Sequence, residues 1–187
     1  MNIILFGPPG AGKGTQAKYL VKKINGFQIS TGDMLRNEIY KNSEIGKKIT
    51  SDMNNGKFVS DEIVNKLIKD IIFDTQKKNR LIFDGYPRSL SQAKNLDLVL
   101  SDSNQNIDFI FFLNVNKEVI IKRIEKRKHL ENRSDDDLNT ILTRYDTYME
   151  TTKPVLEYYS KKPNFYEIDG ALEIDQITNK IDGFLGV

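Results

Sequence analysis

A glycine-rich stretch follows a short apolar run near the start of the chain. The run covers residues 2–6, and the stretch reads Gly-Pro-Pro-Gly-Ala-Gly-Lys-Gly-Thr from residue 7 to residue 15. Glycines let the backbone turn its N–H groups onto phosphate oxygens, a helix N-terminus adds a positive dipole end, and a lysine reaches the outer phosphates. The following residues are therefore predicted to bind a nucleoside triphosphate: Gly10, Ala11, Gly12, Lys13, Gly14 and Thr15.

One position of this stretch departs from the general phosphate-loop pattern. Ser or Thr usually follows the lysine and binds magnesium, whereas Gly14 stands there in this chain and Thr15 comes one position later. The dinucleotide fingerprint G-x-G-x-x-G does not fit either, because its last glycine would fall on Thr15. A nucleoside triphosphate therefore remains the predicted ligand.

Short apolar runs alternate with longer amphipathic stretches along the rest of the chain. Strands are predicted at residues 2–6, 27–30, 81–84, 109–115 and 165–168, and helices at residues 13–25, 61–75, 90–100, 117–128, 135–151 and 172–185. Residues 110–113 are apolar on both faces, as expected of a parallel strand covered on both sides. The alternation predicts an α/β fold of three layers, with a central parallel sheet of about five strands flanked by helices.

Two stretches interrupt this alternation. Residues 31–59 contain helical patterns but no strand pattern, and residues 126–136 are almost wholly polar. We expect both to be insertions into a single domain that spans residues 1–187, with no linker or repeat marking a second domain.

Composition and charge narrow the class of function. The net charge of the 187 residues is only +2, so no overall basic field favours nucleic acid or a membrane surface as a partner. The chain has no cysteine, which excludes disulfides, thiolate zinc sites and cysteine nucleophiles. The apolar run at residues 2–6 is too short for a signal peptide or a membrane span, so we expect a cytoplasmic protein.

The motifs that identify GTP switches are missing from the sequence. Residues 116–119 read Asn-Lys-Glu-Val, without the aspartate that would bind guanine, and Asp84 is followed by Gly-Tyr-Pro rather than by a D-x-x-G element.

The only histidine, His129, lies in the polar insertion, where a surface role is the simplest interpretation. A phosphate oxygen, which is already anionic, needs no general base when it accepts a phosphoryl group.

Arginine is the residue type that the sequence places near the predicted strand ends and insertions. Two nucleotides brought together carry about six phosphate charges, and several guanidinium groups are needed to offset their repulsion and align them. Arg123 and Arg127, four positions apart, share one face of a predicted helix. The candidates are Arg36, Arg88, Arg123, Arg127, Arg133 and Arg144.

Taken together, the motifs resemble those of the adenylate kinase family, a branch of the nucleoside monophosphate kinases. The resemblance covers nearly the whole chain and is highly specific, since separate motifs follow in the right order. It is carried by residues 7–16, 29–36, 56–61 and 83–88, by Gln92, and by the spaced pair Arg133 and Arg144.

The resemblance implies a site for each of two nucleotides. AMP is expected to contact Thr31, Arg36, Lys57, Phe58, Val59, Gly85, Tyr86, Pro87, Arg88, Gln92, Arg133 and Arg144, with Gln92 reading the adenine edge. The ATP side adds Arg123, Arg127 and the turn at Leu172 to the phosphate loop. The residues expected to act on the transferred phosphoryl group are Lys13, Arg88, Arg123, Arg133 and Arg144. Asp84 is expected to hold Mg²⁺ through water.

By the same resemblance, residues 126–136 would form a short lid over ATP, and residues 30–59 would form the AMP-binding insertion. Arg127 and Arg133 are only six positions apart, which leaves no room for a long lid, and without cysteine a thiolate zinc lid is excluded. Ser134 and Asp137 resemble a capping box that would start the next helix. A lid is expected to close before chemistry, because transfer to AMP must outcompete transfer to water. Such motion leaves little fixed surface for an interface between subunits, so a monomer is expected.

The resemblance therefore implies reversible phosphoryl transfer from Mg-ATP to AMP, giving two ADP. One alternative is a UMP/CMP kinase of the same family, although those relatives tend to carry Ala in place of Thr31 and Asn in place of Gln92. A remote alternative is a module that binds nucleotides without catalysis. Arg88, Arg133 and Arg144 argue against it, because binding of ATP alone does not require them.

Overall fold

A single parallel sheet lies at the centre of the molecule. The computed structural model describes residues 1–74, 80–131 and 138–186, except for the side chains of residues 127–131 and 138. The strands are β1 (Ile3–Phe6), β2 (Phe27–Ser30), β3 (Leu81–Asp84), β4 (Phe109–Asn114) and β5 (Phe165–Asp169). They are ordered β2-β3-β1-β4-β5, and every neighbouring pair is parallel. The predicted five-stranded parallel sheet is confirmed, with strand ends within one residue of those expected.

Helices connect the strands and cover both faces of the sheet. They are α1 (Lys13–Ile24), α2 (Thr31–Tyr40), α3 (Glu44–Asn54), α4 (Asp61–Phe73), α5 (Leu90–Asp102), α6 (Lys117–Glu131), α7 (Leu138–Tyr159) and α8 (Ile174–Leu185). This arrangement confirms the predicted α/β fold. No helix in the described ranges is both long enough and apolar enough to cross a bilayer.

The strand residues alternate between two cores, one on each side of the sheet. One core contains Ile4, Phe6, Ile29, Phe83 and Ile110 with residues of α2–α5 and α7, and the other contains Ile3, Leu5, Ile82, Phe111 and Leu113 with residues of α1, α6, α7 and α8. Successive side chains of a strand point to opposite faces, so a strand that is apolar throughout must be covered on both sides. Full burial of each such side chain contributes about 1.5–3 kcal/mol, before the loss of conformational entropy.

Residues 31–59, all of them described, contain α2 and α3 and no strand, as expected. The two helices pack tightly, since a Cβ on Gly46 would collide with the carbonyl oxygen of Glu38. Leu35 and Ile49 are 4% and 1% exposed and belong to the core beside the sheet. The helix pair is therefore anchored to the core by these two side chains.

The predicted end of the helix at residue 151 is wrong, because α7 continues through Pro154 to Tyr159. Proline removes a backbone donor and usually costs about 3 kcal/mol inside a helix. Here the exposed Pro154 is followed by Val155 and Tyr159, which are both 0% exposed. The Tyr159 hydroxyl also donates to Asp97 Oδ1 at 3.2 Å on α5. The burial of Val155 and Tyr159 therefore outweighs the tendency of Pro154 to end the helix.

The polar segment after α6 is only partly described. The helix predicted to end at residue 128 extends to Glu131, so residues 126–131 continue α6. Arg133 and the predicted cap of Ser134 with Asp137 lie outside the described residues. Arg127 lies within α6, and its side chain is likewise outside the described part of the structure.

Candidate active site

The predicted phosphate loop, residues 7–15, leaves β1 at the carboxyl end of the sheet. Gly10 and Gly12 have φ values of 80° and 96°, a left-handed conformation that favours glycine. A Cβ on Gly10 would also lie 2.9 Å from Ile124 Cγ1, so a larger residue would collide with α6. The N–H of Ala11 donates to the carbonyl oxygen of Pro8 at 3.1 Å and closes the turn. The loop conformation therefore depends on these two glycines.

The first turn of α1 offers its N–H groups to an anion. Gly12 caps this helix without a side-chain hydrogen bond, and the described first turn contains no acidic residue. Unpaired N–H groups and the dipole make a helix N-terminus attractive to phosphate. Lys13 Nζ donates to the carbonyl oxygens of Gly7 at 2.7 Å and Pro8 at 2.9 Å, which holds its ammonium group within the loop.

Asp84 lies at the end of β3, beside the start of α1. One carboxylate oxygen, Oδ2, accepts a hydrogen bond from Gln28 Nε2 at 3.0 Å and lies 3.6 Å from the position of a Cβ on Gly14. Among the described residues there is no group of three or more metal-ligating side chains. A single carboxylate fits Mg²⁺ that arrives with a nucleotide, because this ion keeps several waters and binds the phosphates themselves.

Gly85 joins Thr31 and Arg88 through its carbonyl oxygen. This oxygen accepts from Arg88 Nε at 2.7 Å and from Thr31 Oγ1 at 2.8 Å, and Arg88 Nη2 donates to Thr31 Oγ1 at 3.4 Å. The φ of Gly85 is 75°, and a Cβ there would lie 3.0 Å from Arg88 Nη2. The left-handed conformation favours glycine, and a larger residue would also displace the guanidinium group by a few tenths of an ångström. The turn after β3 therefore fixes Arg88 beside the N-terminus of α2.

Tyr86 supports this turn from within the core. The peptide bond between Tyr86 and Pro87 is cis, and the Tyr86 hydroxyl donates to Asn65 Oδ1 at 2.7 Å. The pKa of Tyr86 is raised to about 12, chiefly by burial, while a hydrogen bond from Asn95 lowers it and the nearby Asp61 carboxylate raises it. The phenol is therefore neutral at physiological pH and is a structural part of the turn.

Two adjoining cavities meet at Phe58, Gly85 and Arg88, which line both of them. The first cavity lies between the phosphate loop and α7, and its remaining walls are Leu5, Phe6, Gly7, Pro9, Lys13, Pro87, Arg144, Tyr148 and Thr152. The second is lined further by Thr31, Leu35, Val59, Val64 and Gln92. Lys13 and Arg144 thus line only the first cavity, whereas the second combines mainly apolar walls and the buried Gln92 amide with the shared Arg88.

The buried Gln92 amide forms hydrogen bonds at both of its ends. Its Oε1 accepts from the backbone N–H of Arg88 at 2.8 Å, and its Nε2 donates to Asp61 Oδ1 at 2.7 Å. Asp61 Oδ2 accepts from Ser89 Oγ at 2.6 Å. The sequence analysis missed Asp61 and Ser89 as site residues, although Asp61 ends the motif at residues 56–61 that carries the resemblance.

The other predicted residues divide into three groups. Arg123 Nη1 donates to the carbonyl oxygen of Gly170 at 2.7 Å, and its Nη2 donates to that of Leu172 at 3.3 Å. Two residues predicted on the ATP side, Arg123 and Leu172, are therefore in contact. Arg36 Nη2 pairs with Asp33 Oδ1 at 2.6 Å on α2, and neither Arg36 nor Lys57 is among the residues lining the two cavities. The side chain of Arg127 and the whole of Arg133 lie outside the described residues.

Two wall residues on α7 were also missed. Tyr148 and Thr152 follow Arg144 at intervals of four residues, which places all three on one helix face and in the first cavity. The Tyr148 hydroxyl is buried without a hydrogen-bond partner among the described residues, and burial raises the pKa of this phenol. The four-residue spacing from Arg144 was the signal that could have identified them.

Comparison with known proteins gives one consistent family. The profile of the family described as Adenylate kinase matches residues 5–164. An adenylate kinase of Pelagibacter ubique (strain HTCC1062) is 50% identical over an alignment of 213 positions, gaps included, which covers 100% of both chains. Adenylate kinases of Mycoplasma mycoides subsp. mycoides SC and Caulobacter sp. (strain K31) are 41% and 42% identical, and each alignment covers 100% of this chain and 100% or 99% of the relative. The chain therefore belongs to the adenylate kinase family.

Proposed function

We propose that this member of the adenylate kinase family transfers the terminal phosphoryl group of Mg-ATP to AMP, reversibly, and forms two ADP. The observation that carries the proposal is the first cavity, where Lys13 of the phosphate loop meets Arg88 and Arg144. Binding of one nucleotide requires only the loop. Arg88, from the turn after β3, and Arg144, from α7, line the same cavity as Lys13, and their guanidinium groups suit a second anionic substrate and the charge that moves between the two.

In the proposed reaction, an oxygen of the AMP phosphate attacks the γ-phosphorus of ATP in line with the bond to the β-phosphate. The new P–O bond forms as the old one breaks, and the electron pair leaves on the β-phosphate oxygen of ADP. Lys13 and the loop N–H groups stabilise charge on the donor side, while Arg88 and Arg144 stabilise it on the acceptor side. No proton transfer is needed, since the attacking oxygen is anionic.

The second cavity is the proposed place for the AMP base. Leu35, Val59 and Val64 provide apolar walls, and Gln92 provides the polar group at the base edge. Thr31, Phe58 and the turn at residues 85–88 complete the AMP side, together with the backbone near Lys57. Arg36 would exchange its contact with Asp33 for the AMP phosphate.

The proposed ATP side lies across the sheet from this cavity. Arg123 joins the turn at Gly170 and Leu172 and also donates to the carbonyl oxygen of Ala11 at 3.5 Å, which links that turn to the phosphate loop. The adenine of ATP would lie against this turn, with Arg127 nearby on the same helix. Magnesium enters as part of the substrate Mg-ATP and offsets phosphate charge, and Asp84 would orient its water ligands.

We further propose that residues 126–136 act as a short lid, that residues 30–59 act as the AMP-binding insertion, and that the protein is a cytoplasmic monomer. Arg133 would enter the site with the lid, and no zinc is needed to hold so short a segment. Fluorophores on the segment and on the core test the closure, because their distance should shorten when a bisubstrate inhibitor binds. An unchanged distance would contradict the lid.

Product analysis tests the reaction itself. The protein is mixed with Mg-ATP and, in turn, with AMP, UMP, CMP, GMP or no acceptor, and the nucleotides are separated by chromatography. We expect ADP from AMP and little product from the other acceptors. Preferred reaction with UMP or CMP would support the alternative kinase of the same family, and no transfer to any acceptor would support a binding module.

A further inference from the structure

The orientation of the Gln92 amide is fixed by two partners that cannot exchange roles. Its oxygen accepts from the backbone N–H of Arg88, and its nitrogen donates to the Asp61 carboxylate. A backbone N–H can only donate, and an ionised carboxylate can only accept. If the amide were turned by half a rotation, its NH₂ group would face the N–H of Arg88, and its oxygen would face the carboxylate of Asp61. Each pair would then consist of two donors or of two acceptors. Asp61 and Arg88 together permit one orientation.

Asp61 is itself held in place by a second hydrogen bond. Its Oδ2 accepts from Ser89 Oγ at 2.6 Å, and the same Ser89 oxygen accepts from the backbone N–H of Gln92 at 3.1 Å. Asp61 begins α4, and Ser89 immediately precedes α5. The amide is thus connected through a closed set of hydrogen bonds to the starts of two helices, which limits its movement.

The amide still has one free donor and one free acceptor position. An amide nitrogen carries two hydrogens and its oxygen two lone pairs, and the contacts with Asp61 and Arg88 use one of each. Gln92 is 3% exposed and lines the second cavity, so a base in this cavity meets an amide of defined polarity. A 6-aminopurine presents a donor at the 6-position and an acceptor at N1, and a 6-oxopurine presents the reverse.

We propose that Asp61 is a positioning residue that makes the site select 6-aminopurine over 6-oxopurine monophosphates, by holding Gln92 in one orientation. The inference rests on the proposed binding of AMP in the second cavity. A 6-oxopurine in the same place would set its oxygen against the amide oxygen and its N1–H against the amide N–H. A site with fixed polar groups rejects such a mismatch strongly, because both buried pairs are left unsatisfied.

The test is the substitution Asp61→Asn, measured with AMP and inosine monophosphate as acceptors. Asparagine can present either its oxygen or its NH₂ group to Gln92, so the constraint from position 61 is removed and only the Arg88 N–H still opposes the reversed amide. We expect the ratio of kcat/KM for AMP to that for inosine monophosphate to fall by at least about tenfold. The KM for ATP should change by less than about twofold, because the loop lies outside this set of contacts.

Two variants provide controls. Glu62→Gln removes a charge from the same first turn of α4, but Glu62 is exposed, so the wild-type ratio should remain. Asp61→Glu keeps a group that can only accept and should retain the preference for AMP. Thermal unfolding reports whether each variant folds, and Asp61→Ser replaces Asp61→Asn if the latter does not, since a hydroxyl can also donate or accept.

A folded Asp61→Asn variant with the wild-type ratio would overturn the inference. If Asp61 had only a structural role, the substitution would lower kcat/KM for AMP and for inosine monophosphate together. The ratio would stay unchanged, and this result too would contradict the inference. Failure of the proposed function is a different result, because it appears in the wild-type protein as an absence of transfer to AMP before any substitution is made.

Discussion

The guanidinium group of Arg88 lies over the ring of Phe58, with Cζ 4.8 Å from the ring centroid. Arg88 comes from the turn after β3, and Phe58 comes from the segment between α3 and α4. Both residues line both cavities. The contact therefore holds the segment between α3 and α4 against the turn after β3, at the point where the two proposed nucleotide sites meet.

The substitution Phe58→Leu should weaken AMP binding more than ATP binding. Leucine keeps an apolar side chain but removes the ring that attracts the guanidinium group, a contact of about 0.5–1 kcal/mol. We expect the KM for AMP to rise by about two- to fivefold and the KM for ATP to stay within a factor of about two. The control is Phe73→Leu, which removes an exposed ring near Lys69 at the end of α4. Equal changes in both KM values would contradict the assignment.

Replacing Arg88 by lysine should lower kcat by about a hundredfold, because a lysine keeps the charge but loses the fork of donors that binds phosphate oxygens. Steady-state rates with AMP and Mg-ATP measure the effect. Arg80→Lys is the matched control, since Arg80 donates to the carbonyl oxygen of Ile24 at 2.7 Å at the other end of β3. A variant of Arg88 with wild-type kcat would remove this residue from the transfer step.

Asp84→Asn should increase the magnesium concentration needed for half-maximal rate by about tenfold, because a neutral amide attracts Mg²⁺ and its water ligands less than a carboxylate does. The measurement is the rate as a function of Mg²⁺ at fixed total ATP. Asp102→Asn, at the exposed end of α5, removes the same charge away from the site and should follow the wild-type curve. If the wild type, Asp84→Asn and Asp102→Asn had identical dependences of rate on Mg²⁺, Asp84 would have no role in binding the metal.

The free energy of unfolding should fall with pH between about 10 and 12 because of Tyr86. Its pKa is raised from 10.0 to about 12 in the folded protein, chiefly by burial. The raised pKa contributes stability that is complete below pH 10 and is lost as pH rises through the folded value, since only the unfolded chain releases the proton in that range. The loss is about 1.4 kcal/mol for each pH unit.

Denaturant titrations at pH 9, 10 and 11 measure this slope. The variant Tyr86→Phe should have a shallower decline than the wild type, because it has no phenol to ionise at this position. It should also be less stable below pH 10, since the hydrogen bond to Asn65 is lost. Parallel curves for the two proteins would contradict the shifted pKa.

The sheet and the phosphate loop could be predicted because their causes are local in sequence. Runs such as residues 3–6 are apolar at every position, and a strand of this kind needs cover on both faces. Gly10 and Gly12 occupy left-handed conformations, which is the reason that a loop of this kind needs glycine. Each of these features depends on a few consecutive residues.

Two of the features that were missed depend on residues distant in the chain. Asp61 reaches Gln92 across 31 positions, and no local pattern pairs an acidic residue at the start of one helix with an amide in another. The end of α7 was wrong for the same reason, because Tyr159 is held by Asp97, 62 positions earlier. The roles of Arg133 and of the Arg127 side chain stay predictions, since both lie outside the described part of the structure.

The contact of Lys13 with the carbonyl oxygens of Gly7 and Pro8 has a consequence for the speed of the proposed ATP capture. The two oxygens carry partial negative charge and hold the ammonium group within the loop, so no phosphate is needed to fix the position of this lysine. An arriving triphosphate then displaces two weak partners from a cation that is already in position. A receptor shaped in advance in this way loses little chain entropy on binding, and the encounter can approach the rate at which charged molecules meet in solution.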